Sequence, residues 1–308
     1  MSSALVLAGC DIPLPNSGPD TSARPAAKPP DQPAAPRSRS ARSTALATYY
    51  GRVQNDLQVQ GLLRTDGGGP DTPYTAAMLA RNFEQIAFFD EYAGSTSFRA
   101  GSGVAGRLRR WDGPVRFGVE FGSNLSPAEQ TRDRANVASF ASRLARVTGH
   151  PIGVSNSSAN FHVLFMGEDD RNLIRARVKA HVPNIDPAAL RLFTNLPREI
   201  HCLVVAFSAG PGSSSYGRAV ALIRSEHPVL MRRSCIQEEL AQGLGLANDS
   251  PAARPSIFND DDEFALLTTH DAHLLGMLYD RRLSTGMTLS AARPIIRQMA
   301  AERTGAGS

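Results

Sequence analysis

Between residues 111 and 244 the apolar pattern changes period repeatedly, and the order of those changes limits the fold most. Trp111-Asp112-Gly113-Pro114 reads as a turn, and Val115 to Phe121 then alternates like a strand. Ser126-Pro127-Ala128-Glu129 is a helix start, with Ser as N-cap, Pro at the first helical position and Glu at the third. That helix runs to about Thr148 and stops at Gly149-His150-Pro151. A strand follows at 160–166, a charged helix at 169–181, strands at 200–208 and 217–225, and a helix at 229–244. A polar loop from Ala247 to Asp262 leads to closing helices at 269–278 and 288–302. Ahead of all this, 44–60 and 74–90 read as helices separated by Gly67-Gly68-Gly69-Pro70. Strands interleaved with helices in this order predict an α+β fold.

The chain has 308 residues, 42% of them apolar, which is enough for a sizeable core in one main domain with accessories. No stretch approaches about 18 uninterrupted apolar residues, so no spanning helix is expected. Net charge is +4, and Lys28 and Lys179 are the only lysines among 33 basic residues. The arginines are scattered with no aromatic-basic array, so nucleic acid is not expected as a partner. There is no P-loop or dinucleotide fingerprint, and Ser213-Ser214-Ser215 lacks the G-x-S-x-G elbow of a serine nucleophile.

Leu7-Ala8-Gly9-Cys10 resembles the lipobox of bacterial lipoproteins, which would make Cys10 a lipid attachment site. Only nine residues precede Cys10, none of them basic, so either the reading frame starts further upstream or the match is chance. Residues 11–43 carry eight prolines between Pro13 and Pro36, among Ser, Ala and Arg, and read as a disordered tether. The expected division is a truncated signal-like segment at 1–10, a tether at 11–43, a helical region at 44–100 and the main domain at 101–304. The lipoprotein reading places the chain in the cell envelope, on the periplasmic face of a membrane that it joins through its N-terminal lipid. An envelope protein or peptide would be its partner. With Cys10 lipidated, Cys202 and Cys235 remain as a pair, joined in an oxidising compartment or kept as two buried thiols.

Cys235-Ile236-Gln237-Glu238-Glu239-Leu240-Ala241-Gln242-Gly243-Leu244-Gly245 resembles the active-site helix of zinc peptidases with both histidines missing. In H-E-x-x-H-x-x-G, two His one turn apart hold Zn²⁺ and the Glu is general base to a metal-bound water. Here Glu238 and Gln242 stand at the histidine positions, Glu239 at the base and Gly245 at the turn. The third-ligand position falls on Asn248, with Asp249 beside it. The element order resembles the upper half of a zincin domain, which implies a twisted mixed sheet backed by the long helix and facing a second helix that carries the site, and the run from Leu267 to Tyr279 resembles the post-turn helix of metzincins. In zincin folds the elements carrying Cys202 and Cys235 are neighbours, which makes a disulfide geometrically feasible. A longer match carries more weight: C-I-x-E-E-L-x-Q-x-L-G-L-x-N-D-S, R-P-S-I-F-N-D and L-T-x-x-D-x-x-L-L-x-x-L-Y-D-x-R-L, spanning Cys235 to Leu283, resemble domain-of-unknown-function family 2927. This proteobacterial group includes lipoproteins and implies no established activity.

Glu238, Gln242, Asn248 and Asp249 would offer only oxygen donors, which suit Ca²⁺ or Mg²⁺ better than Zn²⁺. The expectation is therefore no cofactor, and a metal-free hydrogen-bonded cluster that braces the loop at 247–262. Glu239 is the candidate catalytic base, or else a structural carboxylate paired to Arg232, Arg233 or Arg254. Asn259-Asp260-Asp261-Asp262-Glu263 lacks the spaced pattern of a calcium loop and reads as a solvated helix start. His162, His181, His201 and His227 read as isolated structural residues, and His270 and His273 as a pair without a third ligand. These residues favour a non-catalytic binding or scaffolding protein with a degenerate peptidase-like domain. The alternative is a hydrolase with an unusual oxygen-ligand metal site.

Overall fold

β3 (Phe161–Met166) is buried at all six positions, as a strand must be when it has partners on both edges and layers on both faces. The computed structural model describes residues 38–89, 105–259 and 261–305. Cys10 and most of the expected tether lie outside them. The five-stranded sheet has the order β2-β1-β3-β5-β4, with β1 at Val115–Phe121, β2 at Ile152–Val154, β4 at Cys202–Ser208 and β5 at Tyr216–Arg224. Val119 pairs with Val163 and Val163 with Ala221, both in parallel. The edge strand β4 runs antiparallel, with Val204 opposite Ala221. A mixed α+β architecture is therefore what the chain adopts.

Eight α-helices accompany the sheet among the described residues: α1 (Ala41–Val59), α2 (Ala76–Phe88), α3 (Pro127–Thr148), α4 (Arg171–His181), α5 (Pro187–Thr194), α6 (Val229–Gln242), α7 (Thr269–Leu278) and α8 (Leu289–Arg303). None of them is long and apolar enough to cross a membrane. Alternation along β3 sends Phe161, Val163 and Phe165 to one face, into a core shared with Val137, Phe140 and Leu144 of α3 and Ile236 and Leu240 of α6. Leu164 and Met166 point the other way, onto Ile174 and Val178 of α4 and Leu190 and Phe193 of α5. The long helix and the site helix thus share one face instead of flanking the sheet, because α4 and α5 fill the other. Each fully buried Phe contributes about 1.5–3 kcal/mol of transfer free energy.

The start of α3 carries the expected capping box: the Glu129 N–H donates to Ser126 Oγ and the Ser126 N–H to the Glu129 carboxylate. The same glutamate fixes α6. Arg232 of α6, 2% exposed, donates from Nη2 to Glu129 Oε1 at 3.2 Å, and its Nε lies 3.3 Å from Asp133 Oδ2. Burial raises the Asp133 pKa against the pull of Arg232 and Arg132. The disulfide between Cys202 and Cys235 joins β4 to α6 directly.

α1 begins at Ala41, inside the segment expected as tether. Its N-terminal end docks at the carboxyl ends of β3 and β5. The Ser40 N–H donates to Asp169 Oδ2 at 2.9 Å, Ser43 Oγ donates to Glu226 Oε1 at 2.7 Å, and Arg39 donates to the Ser225 carbonyl. Tyr50, fully buried, packs edge-on against His201 and His227.

Candidate functional site

A cleft of about 370 Å³ lies along the outer edge of β4, from Cys202 to Ala206. Ser234, Glu238, Glu239 and Gln242 of α6 form one side, and the loop from Ala247 to Phe264 forms another. Because β4 is the edge strand and pairs with β5 alone among the described residues, its outer edge presents ladder groups to this cleft.

The site helix ends where sterics leave room only for glycine. At Gly243 a Cβ would lie 2.5 Å from the Phe161 ring; at Gly245, with φ of 128°, it would lie 2.3 Å from the Arg109 carbonyl oxygen. Trp111, 2% exposed, donates its indole N–H to the Gly243 carbonyl at 2.8 Å.

The loop wall is held by α7. Asp271, fully buried in the first turn of α7, accepts from Ser256 Oγ at 2.6 Å, from the Ile257 N–H at 3.1 Å and from the Thr268 N–H at 3.0 Å. Thr268 Oγ1 donates to the Pro255 carbonyl, and Gln237 of α6 accepts the Leu267 N–H at 2.8 Å. None of these anchors is among the candidate residues named above, although the L-T-x-x-D spacing of Thr268 and Asp271 is itself a capping-box signal.

The nominated residues divide. Glu238, Glu239, Gln242 and Asp249 all line the cleft, and Gln242 Nε2 donates to Asp249 Oδ1 at 3.1 Å. Asn248 is directed elsewhere: its side chain donates to the Gln85 carbonyl and its N–H to the Ile86 carbonyl. Glu239 is 4% exposed. Of the arginines named for it, Arg232 binds Glu129 and Asp133, and Arg254 binds Glu263 at 2.6 Å. Among the described residues of the acidic run before Phe264 no helix starts; the carbonyls of Asp262 and Glu263 accept the N–H groups of Leu63 and Arg64. That segment pairs instead with residues 63–64 of the same chain, and Arg64 and Arg254 neutralise Glu263 beside it.

The histidines are less isolated than the sequence suggested. On the opposite face of the sheet, His181 Nε2 lies 2.5 Å from Glu120 Oε1, Arg177 pairs with the other Glu120 oxygen, and His162 stacks on His181 with centroids 3.5 Å apart. Burial, His181 and Arg218 push the His162 pKa down to about 4, against the pull of Glu120. Ring planes only 12° apart keep the two in-plane lone pairs from converging on one ion, so this arrangement is a hydrogen-bonded charge cluster. His270 contacts Asn82 and His273 contacts Tyr74, so those two rings serve the packing of α7 on α2 and the residues just before it. His227, 2% exposed, places Nδ1 3.6 Å from the Cys235 sulfur.

A family model described as "Protein of unknown function (DUF2927)" matches residues 76–298. The chain belongs to this family. The DUF2927 match starts at α2 and takes in the whole sheet, the site helix and the loop wall, while α1 precedes it. No curated protein and no solved structure matches the chain. The description of DUF2927 carries no activity, so the chemistry rests on the residues of the cleft.

Proposed function

We propose that this chain is an envelope lipoprotein whose peptidase-like cleft binds an extended peptide segment without cleaving it. The observation that carries this reading is the course of the cleft along the edge of β4, with the site helix opposite. An extended chain laid there would add to the sheet through backbone hydrogen bonds, with alternate side chains directed at α6 and the loop. The element order and the E-E-x-x-Q frame support kinship with zincin domains. Glu238 and Gln242 replace the imidazoles that would hold zinc, so Glu239 lacks the Lewis acid that makes water a nucleophile near neutral pH. The Cys202–Cys235 disulfide fits an oxidising compartment, and Cys10 with its proline-rich follower fits a lipid anchor.

The test is calorimetric binding of an extended-peptide library to the purified chain and to Ala206→Trp, which would fill the cleft. Binding that weakens at least about 10-fold in the variant supports the reading, a loss of roughly 1.4 kcal/mol. Peptide hydrolysis that Glu239→Gln abolishes and a chelator suppresses would replace it with a hydrolase using oxygen ligands. For the anchor, Cys10→Ala expressed from an upstream start should leave the membrane fraction; unchanged partitioning removes the lipoprotein claim.

A further inference from the structure

The disulfide is set among metal-binding side chains drawn from three elements. Cys202 opens β4, Cys235 sits in α6, and His227 lies just before α6 begins. The Cys235 sulfur is 3.6 Å from His227 Nδ1. On its other side, the Cys202 sulfur is 4.0 Å from Glu238 Oε2, and donor atoms of Cys202, Glu238 and Glu239 all lie within 4.8 Å of one another. Cys235 and Glu238 are three apart on one helix, hence on one face. Cys235 is 3% exposed and His227 2%, and His227 Nε2 has no hydrogen-bond partner. A buried imidazole with one nitrogen unpartnered costs stability, and its other nitrogen, Nδ1, faces the sulfur that a thiolate-bound metal would share with it.

We infer that Cys202, Cys235, His227 and Glu238 form a redox-gated site for a divalent transition metal of the zinc class, closed while the disulfide stands. Two thiolates, one imidazole and one carboxylate are the donor types that tetrahedral zinc prefers. On one zinc the two sulfurs stand at most about 4.6 Å apart, which the Cα separation of 5.9 Å permits. The site differs in kind from the all-oxygen set of the degenerate frame and stands independently of the peptide-binding reading.

Opening needs a dithiol reductant, such as the reduced active site of a thiol–disulfide oxidoreductase. One reductant thiolate attacks a cysteine sulfur, the Cys202–Cys235 bond breaks, and the second reductant thiol resolves the mixed disulfide. The chain gains two electrons and two protons, and the reductant leaves as its own disulfide. Metal binding then displaces the two thiol protons, so uptake strengthens as pH rises.

The experiment uses the full chain, reduced with a phosphine, desalted without oxygen and titrated with Co²⁺ and then Zn²⁺. The expected result is one cobalt per chain, with near-ultraviolet thiolate charge-transfer absorption and the visible bands of a tetrahedral ion, displaced by zinc and absent from the oxidised chain. His227→Ala, which leaves both cysteines in place, should weaken binding at least about 10-fold, the low end of what losing even an outer partner costs. Circular dichroism is recorded on the same samples. A folded reduced chain without the thiolate band, a spectrum indifferent to His227→Ala, or a reduced chain that unfolds and is not restored by zinc would each overturn the inference.

Discussion

The indole N–H of Trp111 donates to the carbonyl of Gly243 across 2.8 Å, so the residue that leads into the first strand also holds the end of the site helix. The chain between them builds all five strands of the sheet, and this bond ties its two ends together. Trp111→Phe keeps an aromatic side chain but leaves that carbonyl without its indole donor. A buried acceptor deprived of its partner costs about 1–3 kcal/mol, so urea unfolding should show a lower midpoint at an unchanged slope. A midpoint equal to that of the parent would mean that the bond contributes nothing.

Gly243→Ala tests the same joint by crowding. The added Cβ would lie 2.5 Å from the Phe161 ring, and neither the end of α6 nor the central strand can yield cheaply. Overpacking of this kind costs about 1–3 kcal/mol. A thermal melt should register it, and wild-type stability would show that the helix end relaxes freely.

Asp271→Asn should damage the cleft wall from beneath. Its carboxylate accepts two N–H groups and one hydroxyl, and an amide presents a donor to at least one of them. Hydrogen bonds to a charged acceptor contribute about 1.5–3 kcal/mol each, so a loss of at least that size is expected. Limited proteolysis should cut first near Pro255–Ile257; a cleavage pattern like the parent's would argue that the loop is held elsewhere.

Reduction of Cys202–Cys235 in metal-free buffer should destabilise the chain. The bond spans 33 residues, and in the chain-entropy account it restricts the unfolded state by about 4 kcal/mol. Guanidinium titration with and without reductant measures this, and coincident curves would refute it.

Stability should fall in acid in a definite window. Burial first, then His181 and Arg218, push His162 down to about 4, and burial also lowers His150 and His273. An unfolded imidazole takes up its proton near pH 6.5. Between those values the unfolded state binds more protons, so stability declines as pH drops from about 6.5 toward 4. Melts across that range should show a falling midpoint, with a shallower slope in His162→Gln. A flat profile would place these rings in water.

The legible parts of the fold were those with local signals. Ser126-Pro127-Ala128-Glu129 announces α3 through its own hydrogen bonds, and α7 falls at the expected residues 269–278. Asp186-Pro187 opens α5 with an N-cap and a proline in the same way, but eight residues are too few to show a period. β2 is three residues long, too short for alternation to register. Asn248 shows how frame spacing fails: counting on from the helix presumes a regular path, but Gly245 turns the chain and sends that side chain to α2. Glu120 with His162 and His181, or His227 with the disulfide, could not be paired by spacing, since sheet crossovers bring them together. Within the cleft, Glu238, Glu239 and Gln242 were legible as neighbours from their helical spacing, while the open edge of β4 required the strand order.

The docking of Ser40 on Asp169 and Ser43 on Glu226 has a mechanical consequence. A force applied through the residues ahead of Arg39 would reach the domain at the carboxyl ends of two central parallel strands. There it would meet several polar contacts loaded side by side, before it could peel α1 and the buried Tyr50 ring it carries away from His201 and His227. Those contacts stand between the pull and the cleft, which borders β4, the edge strand next to β5.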